Sequence, residues 1–149
     1  MKKYAVNGLS ASGTATKSAF TLTGASTVRP LVSEITFGVR TPPNATDQQV
    51  EFQCGSTTAA GTSTAATPKP LDVVDPVAAQ VTGGITHSAE PTYGTYWIDS
   101  DMNQRGLYRW VAEIGFELAG AATSSNGVGA KLAGSTAAVQ MSMVVHYKE

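Results

Sequence analysis

Charge is the scarcest commodity in this chain. Asp, Glu, Lys and Arg together make up 14% of its 149 residues, against roughly 25% in ordinary soluble domains. The formal net charge is −1, so the chain lacks the basic excess that phosphate-backbone binding requires. No nucleic-acid partner is expected. Cysteine is represented once, by Cys54, which excludes an intramolecular disulfide. No apolar run approaches the roughly 18 residues that carry a helix across a bilayer, and no membrane partner is expected. The first residues, MKKYAVNGLSASG, have two lysines but no apolar core of a signal peptide. The expectation is a protein made in the cytoplasm, compatible with reducing conditions. Helical periodicity is also nearly absent.

What is present is alternation. From Ala137 to Tyr147 the chain reads AAVQMSMVVHY. Val139, Met141, Met143, Val145 and Tyr147 fall on every second position, with Gln140, Ser142 and His146 between them. Val144 is the one apolar intruder. A period of two predicts a β-strand with one face buried, and a strand so long must pair within a sheet.

The same signal recurs upstream. Phe20 and Leu22 share a face in Ala19 to Thr23. In Leu31 to Arg40, Ile35, Phe37 and Val39 oppose Glu34, Thr36 and Arg40. Val50, Phe52 and Cys54 alternate with Glu51 and Gln53, which makes Cys54 a buried, inert thiol rather than a nucleophile. Residues 31–54 read as two antiparallel strands joined by a Pro-rich polar connector over 41–49. Residues 55–70, GSTTAAGTSTAATPKP, read as a surface strand or ordered loop. Asp75-Pro76 marks a turn, and Val77 to Val81 reads as one short helical turn closed by Gly83-Gly84. Thr92 to Asp99 and Leu107 to Ala112 are aromatic strands, with Glu113 to Leu118 continuing after the second. Val128 to Ala133 is a further strand. About eight strands at spacings near the roughly 8–12 residues of sandwiches and barrels predict one all-β domain over 1–149. A jelly-roll-like antiparallel β-sandwich with at most one short helix fits best. An immunoglobulin-like sandwich comes second, without its Cys–Trp–Cys hallmark.

The motifs carry little chemistry. Asp99-Ser-Asp101-Met-Asn103 opens like a calcium loop, yet Gln104 and Trp110 stand where such a loop needs Gly and Glu. A polar turn is the better reading. His87 lies near Glu90, but no nucleophile elbow accompanies them, and a structural or interface role outweighs acid–base work. Two isolated histidines, His87 and His146, do not make a metal site. Asp72 and Asp75 read as turn residues rather than paired acids. Asn44-Ala45-Thr46 matches a glycosylation sequon that the absence of a signal peptide leaves without meaning. GVGAKLAG lacks the ending of a phosphate loop. No catalytic residue, cofactor or metal is therefore expected. The densest set of large side chains is Arg105, Arg109 and Trp110 with Tyr93, Tyr96 and Trp97. It reads first as the core of two adjacent strands, with Tyr108 and Arg109 pointing away.

STVRPLVSEITFG, THSAEPTY, MNQRGLYRWVA and the ending HYKE give most of the chain a texture. In that texture it resembles small proteins encoded beside the structural genes of tailed bacteriophages. The resemblance implies a virion component, foremost a non-enzymatic capsid decoration, or cement, protein. Such a protein sits on the capsid surface, bridges capsomers, partners the major capsid protein and self-associates, most simply as a homotrimer. A neutral, small-residue surface suits such contact. Lys2, Lys3, Tyr4, Arg105, Tyr108 and Arg109 are the candidate interface residues. Residues 1–12 and 55–70 are candidate arms reaching neighbours. The alternative is a head-fibre or tail module that binds host glycans through exposed aromatics.

Overall fold

A computed structural model describes residues 1–14, 16–40, 49–135 and 137–149. The sequon and nearly all of the Pro-rich connector lie outside the described residues. Within them the chain forms no helix and twelve strands: β1 (Lys3–Leu9), β2 (Lys17–Thr23), β3 (Leu31–Val39), β4 (Gln49–Ala59), β5 (Thr62–Ala66), β6 (Lys69–Pro70), β7 (Thr82–Ala89), β8 (Thr92–Asn103), β9 (Leu107–Val111), β10 (Leu118–Ala119), β11 (Gly127–Ser135) and β12 (Met141–Lys148). All pairings are antiparallel, and two sheets pack face to face as a β-sandwich. The front sheet runs β10-β3-β12-β1-β6, with β9 also on β3; the back sheet runs β5-β7-β2-β11-β4-β8.

The alternation in the sequence is what divides inside from outside. Met141, Met143, Val145 and Tyr147 are buried on β12, while Val144 between them is 38% exposed. Val50, Phe52 and Cys54 are fully buried on β4. Burial pushes the Cys54 thiol up to about 12, which keeps it protonated and inert. β3 has an irregularity that simple alternation does not foresee. The register with β12 steps from Glu34–His146 to Val32–Tyr147, leaving Ser33 as an extra residue. That bulge lets Val32 and Ile35, three apart, both reach the core.

Residues 31–54 do not form the expected hairpin. β3 pairs with β12, β9 and β10, whereas β4 pairs with β11 and β8 in the other sheet. Both strands turn their apolar faces inward, and Phe37 of one stacks on Phe52 of the other at 3.9 Å and 12°. Burial of those two faces against each other replaces hydrogen bonding between the strands.

Three further expectations change. Residues 77–81 are not helical. The Glu149 carboxylate accepts the N–H groups of Gln80 and Val81 at 2.9 and 3.0 Å, and Val81 is drawn into the core. Those N–H groups are held by a residue distant in sequence rather than by a helical turn. Residues 1–12 are not a free arm, because β1 lies between β12 and β6 with Tyr4 and Val6 buried. Of residues 113–118, expected as strand, only Leu118 pairs; residues 113–116 form an exposed connector and Glu117 is half-buried. The 55–70 segment is strand for most of its length, split among β4, β5 and β6.

Candidate functional site

The back sheet's outer face is built from small residues and then covered. Thr21, Gly129, Gly55 and Thr57 lie on it, and a Cβ added at Gly129 would meet the Tyr93 hydroxyl at 3.2 Å. β7 supplies the start of the cover. It pairs with β2 through Gly84 and then turns at Thr86, whose φ of 48° is unusual for a β-branched residue. The Thr86 hydroxyl donates to the Leu9 carbonyl. The turn brings His87 over Thr21, with Nε2 3.2 Å from the hydroxyl, and leaves the ring 3% exposed. Burial holds the His87 pKa below its usual value, against the opposing pull of nearby Glu90. Glu90 accepts the Ser18 N–H at 2.8 Å, and the Ser18 and Tyr93 hydroxyls meet at 2.9 Å. Tyr93 and Tyr96 stack at 5.6 Å, and the Lys131 ammonium sits 4.9 and 4.7 Å from their ring centres.

His87 and Glu90 thus converge as polar supports of this cover. Asp99 does not join them; it accepts from Gln53 at 3.0 Å. The Asp99–Asn103 segment is not a turn but the end of β8, and among the described residues no group of three or more potential ligands converges on a metal position. β8 and β9 belong to different sheets, so the aromatic set is not one core of adjacent strands. Tyr108 and Trp110 pack against the core from β9, and Tyr96 and Trp97 stay 37% and 39% exposed.

The front sheet's outer face is organised differently. β12 presents Ser142, Val144, His146 and Lys148 outward. The register sets Leu9, Asn7, Ala5 and Lys3 of β1 beside them. On the other side lie Gly38, Thr36, Glu34 and Leu31 of β3. β9 then adds Leu107, Arg109 and Val111. A polar chain crosses the middle. Glu34 accepts from Arg109 Nε at 2.6 Å and lies 3.2 Å from His146 Nδ1. The Arg109 hydrogen bond holds the Glu34 carboxyl below its ordinary value, burial opposing. Lys148 donates to Glu117 and lowers that carboxyl in the same way.

Apolar side chains stand uncovered at the ends of this face. Beyond β6, Val73 and Val74 are 87% and 90% exposed. They are held at the tip of a turn in which Asp72 Oδ1 accepts the N–H groups of Val74 and Asp75 at 2.9 and 3.2 Å. An ion pair joins Asp75 to Lys2, the residue before β1. Across the sheet, Ile114 and Phe116 are 96% and 72% exposed, flanking Gly115 at φ 91°. Leu71 and Ile114 line the same cleft of about 290 Å³, together with Lys3, Glu34, His146 and Lys148. At the opposite end a second hollow of about 460 Å³ is lined by Leu9, Ile85, Leu107, Val144 and Arg40, among others.

The six candidate interface residues divide accordingly. Lys2 and Lys3 border the Val73 turn, and Arg109 lies on the front outer face. Arg105 occupies the turn between β8 and β9, its N–H bonded to Asn103 Oδ1. Tyr4 is 1% exposed and stacks on Tyr147 at 5.4 Å, so no partner reaches it. Tyr108 points inward rather than away: its ring lies 5.8 Å from Phe37, and its hydroxyl accepts the Asn103 N–H. Sequence reasoning missed Val73, Val74, Ile114 and Phe116. One signal was present: an apolar pair enclosed by Asp72 and Asp75-Pro76 sits inside turn chemistry, where a buried pair is out of place. Against family models, curated proteins and solved structures the chain has no match, and its function is read from this geometry.

Proposed function

We propose that this chain is a non-enzymatic structural protein of a tailed-phage virion. It binds the outer surface of the capsid and stabilises the shell by bridging capsomers of the major capsid protein. The observation that carries the reading is the uncovered apolar rim of the front sheet: Val73, Val74, Ile114 and Phe116, each more than two-thirds exposed. Large apolar side chains gathered on one face of a low-charge protein favour protein contact. Val73 and Val74 stand on a turn held by the Asp72 carboxylate, so little ordering entropy opposes docking there. Many such contacts around a shell add through multivalency.

The test is sedimentation with expanded, undecorated shells of the major capsid protein encoded alongside it. Co-sedimentation and a raised shell disruption temperature are expected. Protein left in the supernatant, with shell stability unchanged, contradicts the proposal. A second reading, glycan binding, draws on Tyr96 and Trp97, which stay partly exposed on β8. It gains if the shells are ignored and host polysaccharide retains the protein.

A further inference from the structure

The strands that end the two sheets differ sharply in length. The front sheet ends in β6 and β10, of two residues each, with the five-residue β9 also on β3. The back sheet ends in the five-residue β5 on one side and in β8, of twelve residues, on the other. β8 pairs with β4, and among the described residues no strand pairs with its far edge. Half of β8 is regular: Ile98 to Asn103 lie opposite Cys54 to Gln49 residue by residue. A stretch of that length is a full strand by ordinary standards. Neither proline nor lysine occurs in β8, so this edge lacks two of the usual means of refusing a further strand.

Acid marks the same edge. Glu51 lies opposite Asp101, and Gln53 opposite Asp99. They stand on the face of β4 turned away from buried Val50, Phe52 and Cys54. The Gln53 amide donates to Glu51 at 3.1 Å and to Asp99 at 3.0 Å. It organises the carboxylates without neutralising them, and among the described residues none of the three forms an ion pair. Lys131, opposite Gln53 on β11, lies over the Tyr93 and Tyr96 rings instead. Two copies of this edge laid together would bring four aspartates onto adjacent strands, and like charges so placed destabilise a pairing. The charge turns away a second β8 and favours a cationic strand.

We infer that the Ile98–Asn103 edge of β8 accepts an extended segment of another protein, in which lysine or arginine alternates with uncharged residues, as a further strand of the back sheet. Backbone hydrogen bonds hold the segment, and the period of two sets its cations on one face, beside Asp99 and Asp101. The inference stands apart from the capsid reading, which rests on the front rim.

Fluorescence anisotropy tests it on the full chain, with a labelled, end-capped heptapeptide alternating lysine and threonine in low-salt buffer. Saturable binding is expected. The Asp99→Asn, Asp101→Asn double variant should bind about five-fold more weakly or less, as the loss of two exposed ion pairs implies. Both positions are exposed, so its circular dichroism should match wild type. A peptide with glutamate in place of lysine should not bind. Hydrogen exchange separates strand addition from simple charge attraction: amides within residues 98–103 should slow when the lysine peptide is bound. No binding, equal binding by the double variant, or binding without slowed exchange over 98–103 overturns the inference. Slowed exchange there in the protein alone, lost on dilution, would assign the edge to a second copy and overturn it as well.

Discussion

The two outer faces of the sandwich belong to sheets of similar size and are finished in opposite ways. The back face is small-residued, and the chain seals it with its own Tyr93, His87 and Lys131. The front face has a polar middle and uncovered apolar ends. On the back face Ser18, Thr21, Tyr93 and Lys131 are met by side chains of the same chain. Those at the ends of the front face lack comparable cover from the described residues. The difference separates a surface completed in folding from one left for assembly, and substitution can test that separation site by site.

The largest effect is expected at the back cover. Tyr93→Ala removes the ring over Gly129 and leaves the Ser18 hydroxyl without it. A loss of about 3 kcal/mol is expected from the cavity and the broken contact, measurable by urea unfolding. Phe116→Ser, an equally drastic change on the front rim, should shift stability by no more than about 0.5 kcal/mol, since Phe116 is 72% exposed. Similar losses at both positions would erase the contrast between the faces.

Tyr93→Phe sharpens the same point. It keeps the ring and removes only the hydroxyl bonded to Ser18, so about 1 kcal/mol is expected in the same assay. A loss as large as that of the alanine variant would mean that the hydroxyl, and not the ring, holds the cover.

The mildest effect at neutral pH concerns His87. Its pKa is lowered in the folded protein by burial, so folding favours the neutral ring. The stability that depends on that neutrality is present above the unfolded value, about 6.5. It is lost as pH falls through that value toward the lower folded one. His87→Gln should flatten the fall in melting temperature between neutral and mildly acidic buffer, with little change at neutral pH. An unchanged acid slope would show that His87 does not titrate with unfolding.

The inner face was legible from the sequence because burial and strand geometry share a period of two. Val139, Met141, Met143, Val145 and Tyr147 are buried in the pattern that their spacing predicts, and Cys54 follows Val50 and Phe52 inside. Which strands pair was less legible. Local alternation says which side of β3 and β4 is apolar but not whether the two sides share a sheet or face each other, as Phe37 and Phe52 do. The helical reading of 77–81 fails where the Gln80 and Val81 N–H groups are taken by Glu149, some 70 residues away. The docking surface was the least legible. Ile114 and Phe116 alternate with Glu113 and Glu117 as a half-buried strand would. Only the position of their connector beyond the sheet exposes them. Tyr4 and Tyr108 were misjudged in the opposite sense, being polar-tipped aromatics whose rings the core accepts.

One measurement bears most directly on the claim that the front face is the assembly surface: shell co-sedimentation of paired variants. One variant carries Ile114→Ser with Phe116→Ser on the front rim. The other carries Tyr96→Ser with Trp97→Ser on β8. The account predicts that the front-rim variant stays in the supernatant while the β8 variant pellets with the shells as wild type does. A front-rim variant that still pellets, beside a β8 variant that does not, would contradict it.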